Sequence, residues 1–324
     1  MKNKYWKDKS IIVAGGSGFL GSHFIEELIK SGAEVLCISK TAGKSNFPIK
    51  NLSSSRLHFK KIDLLDFSKL KKELGSADLL INCAAMDGNT EFKIKHAAEM
   101  MDVNIRITSN ILNTAKERKI NNIVLVSTAE IYSPQAESPI TEEEDHRKYN
   151  DYIGNGYVLS KRYSEILGTL YEEQYGMNIF LPRPTNMYGP GDHFGDQINR
   201  VIPSMIKKVL SGNPIEIWGD GSQVRQFIYI KDAVRSMLKM VEVNKTHCLN
   251  IADGKPISIL RLAKLITRVI GAKQNIFLNK DKPTGVKSRI LDITKLELIV
   301  DFKFKPLREG IRSMVEWYKR ELVR

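Results

Sequence analysis

The segment 10–22 constrains the fold more than any other part of the chain. Four consecutive apolar residues are followed by three glycines, Gly15, Gly18 and Gly21, and then by apolar residues at helical spacing. This order predicts a buried strand, a tight turn and a helix, which together form a phosphate-binding crossover. The glycines let a dinucleotide pyrophosphate approach the backbone and let the helix pack closely on the strand. The free N–H groups of the helix N-terminus would then face the phosphates.

Alternating strand and helix patterns continue to about residue 181. Alternation of this kind predicts an α/β fold, a doubly wound parallel sheet with helices on both faces. The predicted strands are 11–14, 34–38, 57–62, 79–82, 123–127 and 178–181. The predicted helices include 19–31, 68–74, 96–118 and 155–175. Beyond this region the segments become shorter and irregular, and prolines and glycines cluster at 182–191.

The composition limits the classes of partner. The chain has 324 residues and a formal net charge of +13, but its lysines are dispersed in pairs. Dispersed charge is typical of a solvated surface, whereas nucleic-acid-binding proteins gather it into one basic patch. No apolar stretch approaches the roughly 20 residues that span a bilayer. We therefore expect neither nucleic acid nor a membrane as a partner.

The first residues and the cysteines indicate the compartment. The N-terminal residues are polar and lack the apolar core of a signal peptide. Cys37, Cys83 and Cys248 lie far apart in the sequence and show no metal-ligand spacing. Free thiols are typical of a reducing cytoplasm. The sequence therefore predicts a cytoplasmic protein that needs no metal.

A second motif places two reactive side chains on one helix. Tyr157 and Lys161 are four residues apart, which puts them on the same helical face. Upstream, the apolar run 123–126 ends in the hydroxyls of Ser127 and Thr128. This order of glycine crossover, strand-end hydroxyls and Tyr-x-x-x-Lys resembles the short-chain dehydrogenases, in particular their extended branch of nucleotide-sugar epimerases, dehydratases and reductases. The resemblance runs nearly end to end and includes 82–85, 183–190, 218–232 and 308–318.

The resemblance implies a Rossmann nucleotide domain and a smaller C-terminal substrate-binding lobe. Residues 1–181 plus 222–251 would form the dinucleotide-binding domain, and residues 182–221 plus 252–324 the substrate-binding domain. The two long predicted helices resemble those that form a four-helix dimer interface in this family. The resemblance therefore also implies a homodimer.

By the same resemblance Tyr157 is the general acid–base. A phenol normally titrates near pH 10, so a nearby positive charge is needed to favour the phenolate at neutral pH. Lys161, one helical turn away, supplies that charge and would also hydrogen-bond the nicotinamide ribose. Thr128 stands four residues before Tyr132 and matches the third catalytic hydroxyl of the family. Its hydroxyl would bond the same substrate oxygen.

The chain departs from two subfamilies at or next to Glu130. Relatives that resemble GDP-fucose synthase carry a cysteine there and a histidine at the position of Arg200, and both act at the carbons beside a ketone. The 4,6-dehydratases have a glutamate at this position, with an acid before it that protonates the leaving hydroxyl. This chain has Ala129 instead of that acid. Glu130 is either a base beside a transient ketone or an unreactive hydrogen-bonded carboxylate near the site.

The resemblance also implies the cofactor-binding positions. They are Gly15, Ser17, Gly18, Phe19, Leu20, Ser39, Lys40, Asp63, Leu64, Ala84, Ala85, Tyr157, Lys161 and Pro184. NAD-preferring sites place an acidic side chain at the end of the second strand. Ser39 and Lys40 stand there instead and can bond a 2′-phosphate, which favours NADP. NAD stays possible, because related enzymes hold it tightly without that acid.

The predicted substrate is a nucleotide diphosphate sugar. The matching substrate-binding positions are Asn186, Val201, Arg225 and Arg289. The planar guanidinium of Arg225 suits phosphate oxygens, and Arg289 matches a further arginine on the diphosphate side.

Three functions are compatible with these residues. The leading hypothesis is an NAD(P)-dependent nucleotide-sugar epimerase that works through a transient 4-keto intermediate. The alternative on the same scaffold is a 4,6-dehydratase or a 4-keto-sugar reductase. A non-catalytic NAD(P)-sensing binding protein is the alternative from a different class, and the intact Thr128, Tyr157 and Lys161 argue against it.

Overall fold

The computed structural model describes residues 4–41, 48–49, 52–144, 155–195, 200–273, 275–282, 284 and 286–321. The strands are β1 (Ser10–Ala14), β2 (Glu34–Ser39), β3 (Leu57–Lys61), β4 (Leu79–Asn82), β5 (Asn122–Leu125), β6 (Asn178–Pro184), β7 (Asn186–Tyr188), β8 (Ile215–Trp218), β9 (Val224–Arg225), β10 (Phe227–Tyr229), β11 (Cys248–Ile251), β12 (Ile257–Ser258), β13 (Ile276–Asn279) and β14 (Ser288–Arg289). The helices are α1 (Phe19–Lys30), α2 (Phe67–Glu73), α3 (Thr90–Lys95), α4 (Ala97–Glu117), α5 (Gly156–Tyr175), α6 (Val201–Leu210), α7 (Ile230–Val243), α8 (Ile259–Ile270), α9 (Thr294–Glu297) and α10 (Leu307–Glu321). Within the described part of the chain, no helix has the length and apolar character needed to cross a membrane.

Seven strands form the largest sheet, in the order β11-β6-β5-β4-β1-β2-β3. The neighbours from β3 through to β6 pair in parallel. Their order, 3-2-1-4-5-6, is that of a Rossmann fold, so the predicted fold class is confirmed. Ligands of such sheets bind at the carboxyl ends of the strands, where the strand order reverses. The turn after β1 lies at that reversal, because β1 pairs with β2 on one side and with β4 on the other.

The central strands are continuous apolar runs because both of their faces are covered. Ile11, Val13 and Ile81 have no exposed surface. Ile12 and Leu80, which alternate with these residues along the strands, form a core with Ile111 and Leu112 of α4, and both α4 residues are fully buried. This core holds the strand ends, and therefore the turns that follow them, in fixed positions.

All ten strands and helices predicted from the sequence are present, and their boundaries differ from the predicted ones by three residues or fewer. β11 and α3 were not predicted. β11 follows the region of regular alternation, and α3 has only six residues, too few for a helical period to stand out.

The chain forms two compact units. The first consists of Met1–Ile131, Tyr152–Arg183 and Val234–Leu249, and the second of Tyr132–Asp151, Pro184–Ala233 and Asn250–Arg324. The predicted domains place 132–151 and 222–233 with the nucleotide part instead. Those domains were defined by ligand-binding roles, which compactness does not address, so that assignment stays a prediction.

The second unit is built from small sheets and amphipathic helices. Its sheets are β7 with β10, β8 with β13, and the three-stranded β12-β9-β14. Its own hydrophobic core includes Ile206 of α6, Leu262 of α8 and Ile311 of α10, all fully buried. The unit therefore has a core that does not depend on the large sheet.

Parallel packing of α4 and α5 positions the helix that carries Tyr157 and Lys161. Asn104 donates from Nδ2 to the Ser160 hydroxyl (3.2 Å), and one turn later the Thr108 and Ser164 hydroxyls are 2.7 Å apart. At the start of α5, Gly156 lies against the backbone of α4, where a Cβ would overlap the carbonyl group of Ala97. The two helices can approach this closely only because residue 156 has no side chain.

We predict that Gly156→Ala destabilises the protein by about 1–3 kcal/mol, because the added Cβ meets a backbone carbonyl that no rotamer change can move. Urea unfolding measures the effect. Gly75→Ala is the matched control, since a Cβ there has no heavy atom within 4 Å. Equal free energies of unfolding for the two variants would contradict the close packing of α4 and α5.

Candidate active site

The turn after β1 requires glycine at both of its ends. Gly15 has φ +73°, and a Cβ on it would lie 2.7 Å from the Ala84 nitrogen at the end of β4. A Cβ on Gly21 would overlap the Gly15 carbonyl group, so α1 can lie this close to the turn only with glycine there. The Gly15 N–H donates to the Ile38 carbonyl (2.9 Å), which ties the turn to β2.

The first turn of α1 offers backbone donors to a ligand. Gly18 is the N-cap and no side chain caps the helix start. The first turn contains no acidic residue, and Gly18 itself is exposed. A helix N-terminus of this kind carries a partial positive charge and unpaired N–H groups. The cradle therefore fits the pyrophosphate of a dinucleotide, as the sequence predicts.

The end of β2 carries a hydroxyl and an ammonium. The Ser39 side chain is buried and donates to the Thr41 carbonyl (2.6 Å). The exposed Lys40 pairs with the Asp63 carboxylate at 3.3 Å. The Thr41 hydroxyl in turn lies 3.4 Å from the Ser17 hydroxyl of the glycine turn. The structure thus brings four predicted cofactor positions, from three separate loops, to one edge of the sheet.

The other predicted cofactor positions differ in how far they are buried. Phe19, Leu20 and Leu64 are buried, Ala84 contacts the glycine turn, and Ala85 is exposed. Pro184 is the last residue of β6. No measurement tests their contact with a cofactor, so these assignments stay predictions.

Tyr157 and Lys161 lie on the first turns of α5. Asn155 caps this helix by accepting from the Val158 N–H (3.3 Å). The Tyr157 ring packs on Met100 and Val158, and together with Met86 and Phe92 these residues form the Tyr157 cluster. This packing fixes the ring before any substrate binds.

Lys161 is buried beneath the tyrosine. Its ammonium donates to the Val126 carbonyl (2.6 Å) and lies 5.8 Å from the centre of the Tyr157 ring. Burial lowers the pKa of Lys161 to about 8, and the carboxylates of Asp87 and Glu165 oppose that shift. Glu165 is itself buried and makes a two-pronged ion pair with Arg183, at 3.0 and 2.7 Å.

Thr128 and Glu130 follow β5, at the carboxyl end of the sheet. The Thr128 hydroxyl accepts from the Glu130 N–H (3.2 Å), which begins a 3-10 turn at Ala129–Ile131. Thr128 is buried, with 9% of its surface exposed. The four predicted catalytic residues thus all lie in the first unit.

Lys93 is a site residue that the sequence did not indicate. Its ammonium lies 3.0 Å from both Glu130 oxygens and 3.2 Å from an Asp87 oxygen. The same ammonium stands 4.1 Å from the centre of the Tyr157 ring. Near Lys93 in the sequence, Asn89 indicates the start of a helix, α3. It does not indicate that Lys93 pairs with Glu130, which is 37 residues further along the chain.

The predicted substrate residues lie in the second unit. Parallel pairing of β9 with β14 puts Arg225 in register with Arg289. Burial, together with the positive charge of Arg289, lowers the pKa of Arg225. Asn186 is adjacent, since its Nδ2 donates to the Gln226 carbonyl (3.0 Å). Val201 is the first residue of α6 and is 40% exposed, with no contact to the arginines among the described interactions.

Comparison with known proteins decides the family. Residues 11–252 match the model of the NAD dependent epimerase/dehydratase family. The chain belongs to this family. It is an enzyme family, so the prediction of an enzyme and the resemblance to nucleotide-sugar epimerases and dehydratases are both confirmed.

Three relatives illustrate the range of this family. The chain is 41% identical over 318 residues to a dTDP-4-dehydro-6-deoxy-D-allose reductase from Streptomyces sp, with 97% of both chains covered. It is 30% identical to a UDP-glucuronate 4-epimerase from Thermodesulfobacterium geofontis, with 96% of both covered. Among solved structures, a UDP-N-acetylglucosamine 4-epimerase from Methanobrevibacter ruminantium M1 in complex with UDP-N-acetylmuramic acid matches with a TM-score of 0.87. It is 26% identical, and the match covers 98% of this chain and all of that one.

The buried ammonium of Lys161 makes stability depend on pH. Its folded pKa of about 8 lies below the ordinary value of 10.5, so between these values the unfolded chain binds more protons. The free energy of unfolding should therefore rise with pH across this window, by at most about 3 kcal/mol.

Lys161→Met lacks this titration, so the stability of the natural protein relative to this variant should rise between pH 8 and 10.5. Urea unfolding at several pH values measures it. Substitution of the exposed Lys95 by Met is the control for removing a lysine as such. If the difference in the free energy of unfolding between the natural protein and Lys161→Met stays constant with pH, burial does not lower the pKa of this lysine.

Proposed function

We propose that this protein is a nicotinamide-dependent reductase that converts the carbon-4 ketone of a nucleotide-linked 6-deoxysugar to a hydroxyl. The proposal is carried by the 41% identity, over 97% of both chains, to a relative named as a reductase of a dTDP-4-dehydro-6-deoxy sugar. The ion pair that holds both Glu130 oxygens supports it, because reduction needs no carboxylate base.

The side chains of the first unit suit the reduction of a ketone. When bound, the reduced nicotinamide supplies a hydride to the carbonyl carbon. Tyr157 then donates its phenolic proton to the oxygen on which negative charge develops. The Thr128 hydroxyl can donate a second hydrogen bond to that oxygen. The ammonium of Lys161, 5.8 Å from the ring centre, stabilises the phenolate that remains.

The same residues give little support to dehydration. A 4,6-dehydration must remove the carbon-5 proton and protonate a leaving hydroxyl. Glu130 is the carboxylate that the motif offers for the first task, and Lys93 pairs with it. Ala129 has no acidic group for the second. A reductase requires neither group.

Epimerisation at carbon 4 is the second candidate function. The identity to a UDP-glucuronate 4-epimerase and the TM-score of 0.87 to a UDP-N-acetylglucosamine 4-epimerase favour it. Its chemistry uses the same tyrosine, lysine and threonine, so these residues do not separate the two reactions. The fate of the cofactor does, because an epimerase regenerates it in each cycle and a reductase consumes it.

The arginines of the second unit support a diphosphate as the anchoring group of the substrate. Arg225 and Arg289 are held in register although their like charges repel each other. A bound diphosphate would bring negative charge to both side chains, and each guanidinium can offer it two parallel N–H donors. We accordingly propose a nucleoside diphosphate sugar as the substrate, with Asn186 and Val201 as further contacts.

We further propose that the protein acts as a homodimer in the cytoplasm. Ile166 and Leu170 lie one turn apart on α5 and are each 51% exposed, which supports an apolar contact between subunits along this helix.

The proposed activity predicts that the protein oxidises NADPH when it receives a nucleotide-linked 4-keto-6-deoxyhexose. Tyr157→Phe should lower kcat roughly a hundredfold or more, because it removes the proton donor and keeps the ring packing. Absorbance of NADPH measures the rate, and mass spectrometry the added hydrogens. Tyr163→Phe is the matched control. It removes a tyrosine hydroxyl from the same helix, but that hydroxyl bonds Ser109.

Two outcomes would contradict the reductase. One is a Tyr157→Phe variant with the rate of the control. The other is a purified protein that retains a dinucleotide in native mass spectrometry and interconverts sugars without net oxidation of NADPH. That second result would establish the epimerase.

NADP is the cofactor that we propose. Neither Ser39 nor Lys40 is acidic, and the exposed Lys40 ammonium can move from Asp63 to a 2′-phosphate. The Ser39 hydroxyl can likewise turn from the Thr41 carbonyl to the same phosphate. The family model names NAD dependence without distinguishing the phosphorylated form.

Ser39→Asp should reverse the cofactor preference, because a carboxylate repels the 2′-phosphate and accepts from the ribose hydroxyls. The ratio of the Kd values for NADPH and NADH should shift by roughly tenfold or more in favour of NADH, which corresponds to about 1.4 kcal/mol. Fluorescence titration measures both constants. Lys40→Met should weaken the binding of NADPH and leave the binding of NADH unchanged. Tighter binding of NADH by the natural protein would refute the NADP assignment.

A further inference from the structure

Lys93 connects the general acid–base to a carboxylate that the proposed reaction does not need. Its ammonium is 3.0 Å from each Glu130 oxygen and 4.1 Å from the centre of the Tyr157 ring. Its side chain is 11% exposed, whereas that of Glu130 is 40% exposed. The carboxylate is therefore the more exposed partner of this ion pair, and the ammonium is the more buried one.

We propose that Lys93 determines the reaction specificity of this site by holding Glu130 in an ion pair, so that a bound keto sugar is reduced without loss of a proton from the carbons beside the ketone. The inference rests on the proposed function, because it concerns a substrate that already carries a ketone. Lys93 is a positioning residue in this account, since it acts through Glu130.

The need for such restraint follows from the chemistry of the substrate. Carbon-bound hydrogens beside a ketone are acidic, and hydrogen bonds from Tyr157 and Thr128 to the ketone oxygen increase that acidity. A free carboxylate near them can take such a proton, which leaves an enolate and a neutral carboxylic acid. Return of a proton to the other face would change the configuration of the sugar. The reductase would then yield a mixture of products.

The surrounding contacts hold Lys93 in place. The Phe92 side chain belongs to the Tyr157 cluster, so α3 packs directly beside the catalytic ring. The helix start is capped by Asn89, whose Oδ1 accepts from the Phe92 N–H (2.8 Å). Asp87 binds the ammonium from a second direction at 3.2 Å. The start of α3 and the Asp87 carboxylate thereby hold Lys93 in place, and Lys93 in turn holds the Glu130 carboxylate.

The ion pair restrains both oxygens of Glu130. Each oxygen accepts from the same ammonium at 3.0 Å, so the carboxylate is held in one orientation and must give up a hydrogen bond to Lys93 before it can turn towards a substrate carbon. Removing the ammonium releases both oxygens. It also removes a positive charge 4.1 Å from the centre of the Tyr157 ring, and the double variant that lacks Glu130 as well controls for that change.

Solvent exchange tests this inference directly. The protein is incubated in deuterated water with a nucleotide-linked 4-keto-6-deoxyhexose and oxidised cofactor, so that no hydride is transferred. If Glu130 takes a carbon-bound proton, the resulting acid exchanges it with solvent and returns a deuteron to the carbon. Mass spectrometry and proton NMR of the recovered sugar then measure the rate of deuterium incorporation at each carbon.

We expect background exchange with the natural protein and at least a tenfold faster exchange with Lys93→Gln and Lys93→Met. The double variant Lys93→Gln with Glu130→Gln should return to background, because the base is gone. Lys93→Arg should rescue the restraint, since it keeps the positive charge. Lys95→Met is the control, as it removes an exposed lysine of the same helix and should leave exchange at background.

Two results would overturn the inference. One is exchange at background in both Lys93 variants while their reduction of the keto sugar shows that they are folded. The other is rapid exchange by the natural protein that Glu130→Gln abolishes, a result that does not depend on the folding of any Lys93 variant.

The same experiment separates this inference from the proposed function. Reduction of the keto sugar by the natural protein, without Lys93-dependent exchange, leaves the reductase intact and refutes the role of Lys93. Failure of the natural protein to bind or reduce any keto sugar refutes the proposed function, and this inference with it.

Discussion

The contact between α4 and α5 is the constraint on which the candidate site depends. Both helices run in the same direction, and their interface combines a glycine with hydroxyl and amide groups. The absence of a side chain at Gly156 brings the start of α5 against α4, and the bonds from Asn104 to Ser160 and from Thr108 to Ser164 fix its rotation. Tyr157 and Lys161 are consequently presented to the end of the sheet at a defined height and angle. An apolar interface would fix their distance but not their rotation so closely.

The charged side chains of the site form two groups. In the first group, the buried Lys161 lies one helical turn from Glu165, and two guanidinium nitrogens of Arg183 bind the oxygens of that carboxylate. In the second group, the Lys93 ammonium pairs with both Asp87 and Glu130. The Tyr157 ring lies 4.1 Å from the Lys93 ammonium and 5.8 Å from the Lys161 ammonium. Two positive charges are therefore close to the phenol, and burial opposes the charged form of one of them, Lys161.

Much of the fold could be predicted because its signals are local. The glycine turn, the apolar strands and the Tyr157–Lys161 spacing are each contained in a few consecutive residues, and all were found where the sequence indicated. α3 was missed because six residues are too few to show a period. Lys93 was missed for a different reason: its partners lie on separate loops, and only the packing of Phe92 on the Tyr157 cluster brings them together. Tertiary contacts of this kind leave no pattern in the sequence.

The register of β9 and β14 has a thermodynamic consequence for the second unit. The positive charge of Arg289 opposite Arg225 opposes the pairing of the two strands. Any anion that binds both guanidinium groups removes that repulsion in addition to making its own bonds. Tighter binding of such an anion and greater stability of the three-stranded sheet are then linked, because the same interactions contribute to both. A ligand with more negative charge would therefore hold β9 and β14 together more strongly than a ligand with less.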